Sequence, residues 1–227
     1  MTDVEDATAA GASPPRALHR GRAESLYPCV GCHGRCCRLR VRVLAVEALR
    51  VALTLGVPLD GVVERVPYEP PAPTELDALP IMLEGKPWML ELHRPDVTNR
   101  CVFAVEVSGQ VRCGIYTLRP APCRLFPYDV MDGERNVRTG SQDLCPVRWL
   151  KDAAAESRVA QTLEERAADF AREQQLLAAW EKREGPLDWG AFVTHASAMV
   201  IPWLGLDPRM FARRETPRPR RWGPALW

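Results

Sequence analysis

The chain has 227 residues, a formal net charge of +1 and 26% charged residues. That length can bury a real core without cysteine cross-links to compensate for small size. The charge balance gives no global pull toward nucleic acid or a membrane surface, and no apolar run reaches the length of a spanning helix.

In chain order, residues 1–24 are rich in Ala, Gly, Pro and charge and read as a disordered tail. Asp3, Glu5 and Asp6 with no apolar run after them exclude a secretory signal, so the expected compartment is the cytoplasm, where thiols stay reduced. Leu39, Val41 and Val43 alternate with Arg38, Arg40 and Arg42, which predicts a half-buried strand. Ala45 to Leu55 reads as a helix stopped by Gly56 and Pro58. Residues 67–80 carry five prolines and read as an irregular connector.

Three hairpins follow. Ile81 to Leu83 and Trp88 to Leu92 flank Glu84-Gly85-Lys86-Pro87, and Cys101 to Val107 and Gln110 to Cys113 flank Ser108-Gly109. Tyr128 to Met131 and Glu134 to Arg138 flank Asp132-Gly133. A two-residue turn at Ser108-Gly109 would put Cys113 on the face opposite Cys101, and a three-residue turn on the same face. Gly114 to Pro127, with three prolines, cannot be a regular central strand. Lys151 to Glu184 is helical, with a stripe of Val159, Leu163, Ala167, Phe170, Leu177 and Trp180. A second helix runs from Asp188 as N-cap to about Ile201, with a stripe of Trp189, Phe192 or Val193, Ala196 and Val200.

The expected fold is α+β: a tail over 1–24, a small cysteine-rich, metal-organised domain with short hairpins over 25–150, a helical appendage over 151–206 and a basic flexible tail over 207–227. No internal repeat is present.

The eight cysteines carry the chemistry. Cys29, Cys32, Cys36 and Cys37 form a C-x2-C-x3-C-C block, and Cys101, Cys113, Cys123 and Cys145 follow. A C-x2-C step lets two thiolates on a tight turn grip one ion, and Gly31 suits that turn. Cys36 adds a third donor, while Cys37, its neighbour, would point elsewhere. Adjacent cysteines could pair with each other only through a strained ring. Eight thiolates fit two four-sulfur sites, so two zinc ions or one or two iron–sulfur clusters satisfy the donor count. Arg35, Arg38, Arg119 and Arg124 stand beside the cysteines to offset thiolate charge. The ferredoxin and radical-enzyme spacings are absent, and no zinc-ribbon or finger spacing can be drawn either; because the reverse-spaced and adjacent cysteines match no common zinc module, iron–sulfur is preferred over zinc.

The stretch Cys113-Gly114-Ile115-Tyr116-Thr117-Leu118-Arg119-Pro120-Ala121-Pro122-Cys123-Arg124-Leu125-Phe126-Pro127, with the Cys29–Cys37 block upstream and Cys145 after, resembles the YkgJ-type cysteine-cluster family. That family is characterised by zinc or iron chelation, or by an iron–sulfur cluster. The resemblance spans about residues 29–146 and fills all eight cysteine positions. It implies metal at Cys29, Cys32, Cys36, Cys37, Cys101, Cys113, Cys123 and Cys145, and implies no catalytic residue. Flagellin lysine methylases look similar around their cysteines, which makes a redox or protein-modifying enzyme the alternative. A zinc-stabilised interaction module, meeting a protein partner through the 151–206 helices, is the third reading.

Among other residues, His33 is a possible extra ligand, and Glu91, Asp96 and Glu106 are candidate acids without paired-carboxylate spacing. His19, His93 and His195 read as ordinary surface or satisfied residues. Tyr116 and Phe126 would shield the site or simply fill the core. Arg119 reads as a loop staple ahead of a donor to sulfur. No nucleotide-cradling Gly-rich turn and no nucleophile elbow occur.

Overall fold

The computed structural model describes residues 34–69, 78–95, 97–131, 134–137 and 153–207. Cys29, Cys32, His33, Asp96, Cys145 and both tails therefore lie outside the described residues.

Helix α1, Ala45–Leu55, has the predicted boundaries. Gly56 follows at φ 66° and sends its N–H back to the carbonyls of Ala52 and Leu53, the left-handed stop that Gly makes cheaply. The start of α1 is unusual, because Leu44 has no side-chain oxygen to cap it. The Ala45 and Val46 amides donate instead to Oε1 and Oε2 of Glu173, both at 3.0 Å. The Leu44 amide donates to Glu47 Oε2 at 3.2 Å.

A three-stranded antiparallel sheet lies against α1. Its order is β1 (Val63–Pro67), β3 (Lys86–Leu92), β2 (Ile81–Leu83). β2 and β3 are joined by Glu84-Gly85, both at positive φ, as a two-residue hairpin of this hand requires. Val63 faces Leu92 and Ile81 faces Trp88, so Val63, Ile81, Leu83, Leu90 and Leu92 share one apolar face. β1 was not anticipated; Val62-Val63-Glu64-Arg65-Val66 is too short a β-branched run to be told from helix by period alone.

Residues 39–43 are extended, as expected, but form only one bridge, Arg42 with Glu91. Val43 N–H donates to Leu90 and Leu92 N–H to Val41. The segment thus docks on β3 without becoming a full strand. Two small hairpins follow: β4 (Ala104–Val107) with β5 (Gln110–Cys113), and β6 (Tyr128–Met131) with β7 (Glu134–Val137). Between them, Gly114 to Pro127 holds a single 3-10 turn at Tyr116–Leu118 and the short helix α2, Ala121–Leu125.

The chain closes with α3, Ala153–Glu181, and α4, Trp189–Trp203. Asp188 accepts from Ala191 N–H at 2.8 Å, the predicted N-cap. Leu176, Leu177 and Trp180 of α3 and Phe192, Ala196 and Val200 of α4 join the core that α1 and the sheet form. Trp180 stacks edge-on to Phe192, with centroids 5.3 Å apart, and its indole N–H donates to Met82 O at 2.8 Å. The helical segment is thus packed into the sheet.

The buried face of α3 departs from the apolar stripe expected. Its middle buries Thr162, Arg166, Asp169 and Glu173, while Ala167 is exposed. These polar side chains each meet a partner on α1 or within α3, which is what makes their burial tolerable.

Candidate metal centre

Five of the eight cysteines fall in the described residues, and all five line one cavity of about 400 Å³: Cys36, Cys37, Cys101, Cys113 and Cys123. They come from four separate stretches of chain. Each is a free thiol and half-buried. Cys36 and Cys37 open a 3-10 turn, Cys36–Arg38, and both are among the residues that line the cavity. Gly34 precedes that turn at φ 64°, and a Cβ there would fall 2.3 Å from Val111 Cγ1 on β5. Only glycine lets the early cysteines approach the hairpin this closely.

The hairpin turn is the two-residue one: Val107 pairs with Gln110 and Ala104 with Cys113. The face rule nevertheless does not apply to Cys101, which lies before β4. Its N–H donates to Cys37 O at 2.7 Å, and its carbonyl accepts from Ala104 at 2.8 Å. That turn brings Cys101 to the same cavity as Cys113.

Cys123 sits on α2, and α2 is anchored by a buried carboxylate. Glu47 of α1 accepts from the Ala121 N–H at 2.8 Å through Oε1, while Oε2 accepts from Arg166. Glu47 and Arg166 are each only 2% exposed, and Arg166 also forms part of the cavity wall. The anchor therefore runs from α3, through Glu47, to the turn that presents a cysteine. Arg119 is a staple, as expected. It donates to the carbonyls of Tyr116 at 3.2 Å and Cys123 at 3.4 Å and lies over the Tyr116 ring. Phe126 is in the cavity wall; Tyr116 is not.

Burial pushes the Cys123 thiol far above its ordinary range; the nearby thiols of Cys101, Cys113 and Cys36 add to this and Arg119 opposes it. Cys101 is raised too, chiefly by burial and next by Cys113, while the Phe103 amide and Arg94 pull it down. Cys123 is thus within range of the charge of Cys36, Cys101 and Cys113, and Cys101 within range of that of Cys113. A group of thiols that ionises reluctantly in water's absence suits a cation, which displaces their protons on binding. Among the described residues no three Cys, His, Asp or Glu side chains converge as a finished ligand set.

Glu91 is the acid that the fold brings to the site. Its side chain is 4% exposed, with Arg40 at 3.7 Å and Arg42 at 4.0 Å. Its Oε2 is buried and accepts no hydrogen bond among the described residues. Glu106 instead stands exposed beside Arg100, and His195 packs on Trp180 away from the cavity. Sequence reasoning did not single out Glu47, Glu173 or Arg166. The signal for Arg166 and Glu173 was the i, i+4, i+7, i+11 spacing of Thr162, Arg166, Asp169 and Glu173, a helical face written in polar residues.

No helix among the described residues is long and apolar enough to cross a membrane. No curated protein and no solved structure matches the chain. A family model does match: CxxCxxCC, described as a putative zinc- or iron-chelating domain, over residues 28–146. The match covers just over half the sequence, all eight cysteines included, although this chain has three residues between its second and third cysteines where the family's name has two. On the strength of that coverage, and of the thiols gathered in one cavity, the chain belongs to the CxxCxxCC zinc- or iron-chelating family.

Proposed function

We propose that Cys29, Cys32, Cys36, Cys37, Cys101, Cys113, Cys123 and Cys145 together hold metal as thiolates, as iron–sulfur in preference to zinc. One observation carries this reading: thiols from four distant stretches open onto a single cavity and none is spent in a disulfide among the described residues. The donor set fits. Soft sulfur ligands select zinc or iron–sulfur, and the C-x2-C-x3-C-C spacing belongs to no ordinary zinc module. When bound, such a centre supplies either a rigid cross-link or an electron store. The chain's own contribution is to hold the thiols, to exclude water with Phe103, Ile115, Leu125 and Phe126, and to balance charge with Arg112, Arg119 and Arg166.

Anaerobic purification with elemental analysis and an absorption spectrum tests the proposal. Iron with sulfide and visible absorption is the expected result; colourless zinc protein selects the runner-up. Cys123→Ser and Cys32→Ser should each lose metal and solubility, and unchanged metal content in both would reject these ligands. A redox or protein-modifying enzyme is the second reading. It is favoured by the cavity's size, about 400 Å³, which falls among small-molecule sites of roughly 300–1,000 Å³. A spectrum that does not respond to reductant would count against redox use.

A further inference from the structure

The rim of the thiol cavity is basic. Residues 34–43 and 91–113 supply most of the cavity's lining. They contain seven arginines and three acids, Glu91, Asp96 and Glu106, a surplus of four positive charges. Glu91 is buried between Arg40 and Arg42, and Glu106 stands beside Arg100 at 3.8 Å. Arg38, Arg94 and Arg112 pair with no carboxylate among the described residues. Arg94 donates to the Arg38 carbonyl at 2.9 Å and Arg112 to the Gln110 side chain at 3.2 Å, both neutral acceptors. Arg94 pulls on the Cys101 thiol, and Arg112 lies in the cavity wall. Even with those two set against thiolate charge, Arg38 is exposed at the rim and the Arg40 side chain is 67% exposed.

The same rim carries apolar surface. Val105 stands opposite Arg112 and Val107 opposite Gln110, so these four share one face of the β4–β5 hairpin. The other face buries Val111 beside Gly34. Val105 and Val107 are 43% and 49% exposed, and Val102, next to Phe103 of the cavity wall, is 36% exposed. Exposed valines flanked by guanidinium groups match a protein surface on which carboxylates surround apolar side chains. A polynucleotide is a poorer match. Its bases stack on aromatic side chains, and the exposed large apolar side chains among the described residues include no aromatic ring.

We propose that Arg38, Arg40, Val105 and Val107 form a docking surface for a partner protein with a carboxylate-rich, partly apolar face, seated at the mouth of the thiol cavity. Opposite charge on the two faces speeds encounter and fixes orientation. A partner held there stands where metal or electrons enter and leave the cysteines. That role rests on the metal reading; the docking does not, because none of the four residues is a proposed ligand, so the two can fail separately.

The full-length protein as purified would be titrated into three fluorescent probes at constant ionic strength, with anisotropy as the readout. The probes are poly-L-glutamate, a glutamate–leucine copolymer and an oligothymidylate of matched charge. Saturable binding of the copolymer is expected, severalfold tighter than poly-L-glutamate and tighter than oligothymidylate. Arg38→Glu/Arg40→Glu should weaken both acidic polypeptides about tenfold. Val105→Ser/Val107→Ser should abolish the copolymer's advantage and leave poly-L-glutamate unchanged. Lys86→Glu/Lys182→Glu makes the same change in net charge at exposed positions outside the cavity lining and should leave all three affinities unchanged. Absence of saturable copolymer binding, tightest binding of oligothymidylate, or equal losses in the arginine and lysine variants would each overturn the proposal. If Arg38→Glu/Arg40→Glu fails to fold, Arg38→Gln/Arg40→Gln decides, with a severalfold loss expected and an unchanged affinity rejecting the surface.

Discussion

Two residues set conditions that the cysteines themselves do not reveal. Gly34 occupies left-handed backbone against Val111, so Gly34→Ala meets both a strained φ and a clash, together about 1–3 kcal/mol. The melting temperature should fall and metal content with it; Val111→Ala should relieve the clash and only part of the loss. Glu173 is held by burial at about 7, above its ordinary 4.5, with the Ala45 and Val46 amides pulling it down, Glu47 raising it and Arg166 lowering it. A raised carboxyl favours the folded state in its protonated form. That contribution is complete below pH 4.5 and is lost as pH rises through about 7. Thermal melts on either side of this window should show wild type losing more stability on going up in pH than Glu173→Gln does. Parallel curves would show that Glu173 titrates normally.

At the scale of elements, the sequence was legible wherever the signal was local. Ala45 to Leu55 was readable to the residue because apolar period and Gly56 agree. The strand pairs around Glu84-Gly85 and Ser108-Gly109 were readable from their turn residues, but the turn lengths were not. The sequence places the first turn over 84–87 and leaves the second open between two and three residues, and both are two-residue turns at positive φ. What stayed hidden was non-local. The face of α3 is decided by partners on α1 and α2, so an apolar stripe placed Ala167 inside and missed Arg166. The grouping of Cys101 with Cys113 depended on a turn before β4, which strand parity cannot describe. The buried Glu47–Arg166 pair makes the hidden part testable. Glu47→Leu takes the carboxylate away from a buried guanidinium and from the Ala121 amide, costing about 3–5 kcal/mol, and should also reduce metal loading by loosening α2. The double variant Glu47→Leu/Arg166→Met should cost less than the sum of the two single changes, measured by urea unfolding.

For the whole molecule, the membership of α3 and α4 in the central core matters most. A fragment ending at residue 150 would uncover Leu49 and the inner sheet face, remove Phe170 from the cluster around Leu44, and leave the α1 amides without Glu173. We expect it to lack a cooperative thermal transition even when supplied with iron and sulfide or with zinc, as near-ultraviolet circular dichroism would report. A sharp transition in that fragment would show that metal ligation alone can organise the cysteine region. The eight-cysteine pattern made the chemistry legible from the outset, whereas this dependence on the helices had no signature in the cysteine spacing.

The first turn of α1 takes its cap from a carboxyl 127 residues downstream. Any gene rearrangement that copied only the thiol-rich portion into a new context would therefore deliver a helix with unanswered donors. Its new host would have to provide an acidic group at the same point in space, or evolve a Ser, Asp or Asn in place of Leu44. The edge at which sequence kinship fades is consequently not the edge at which the object can be cut.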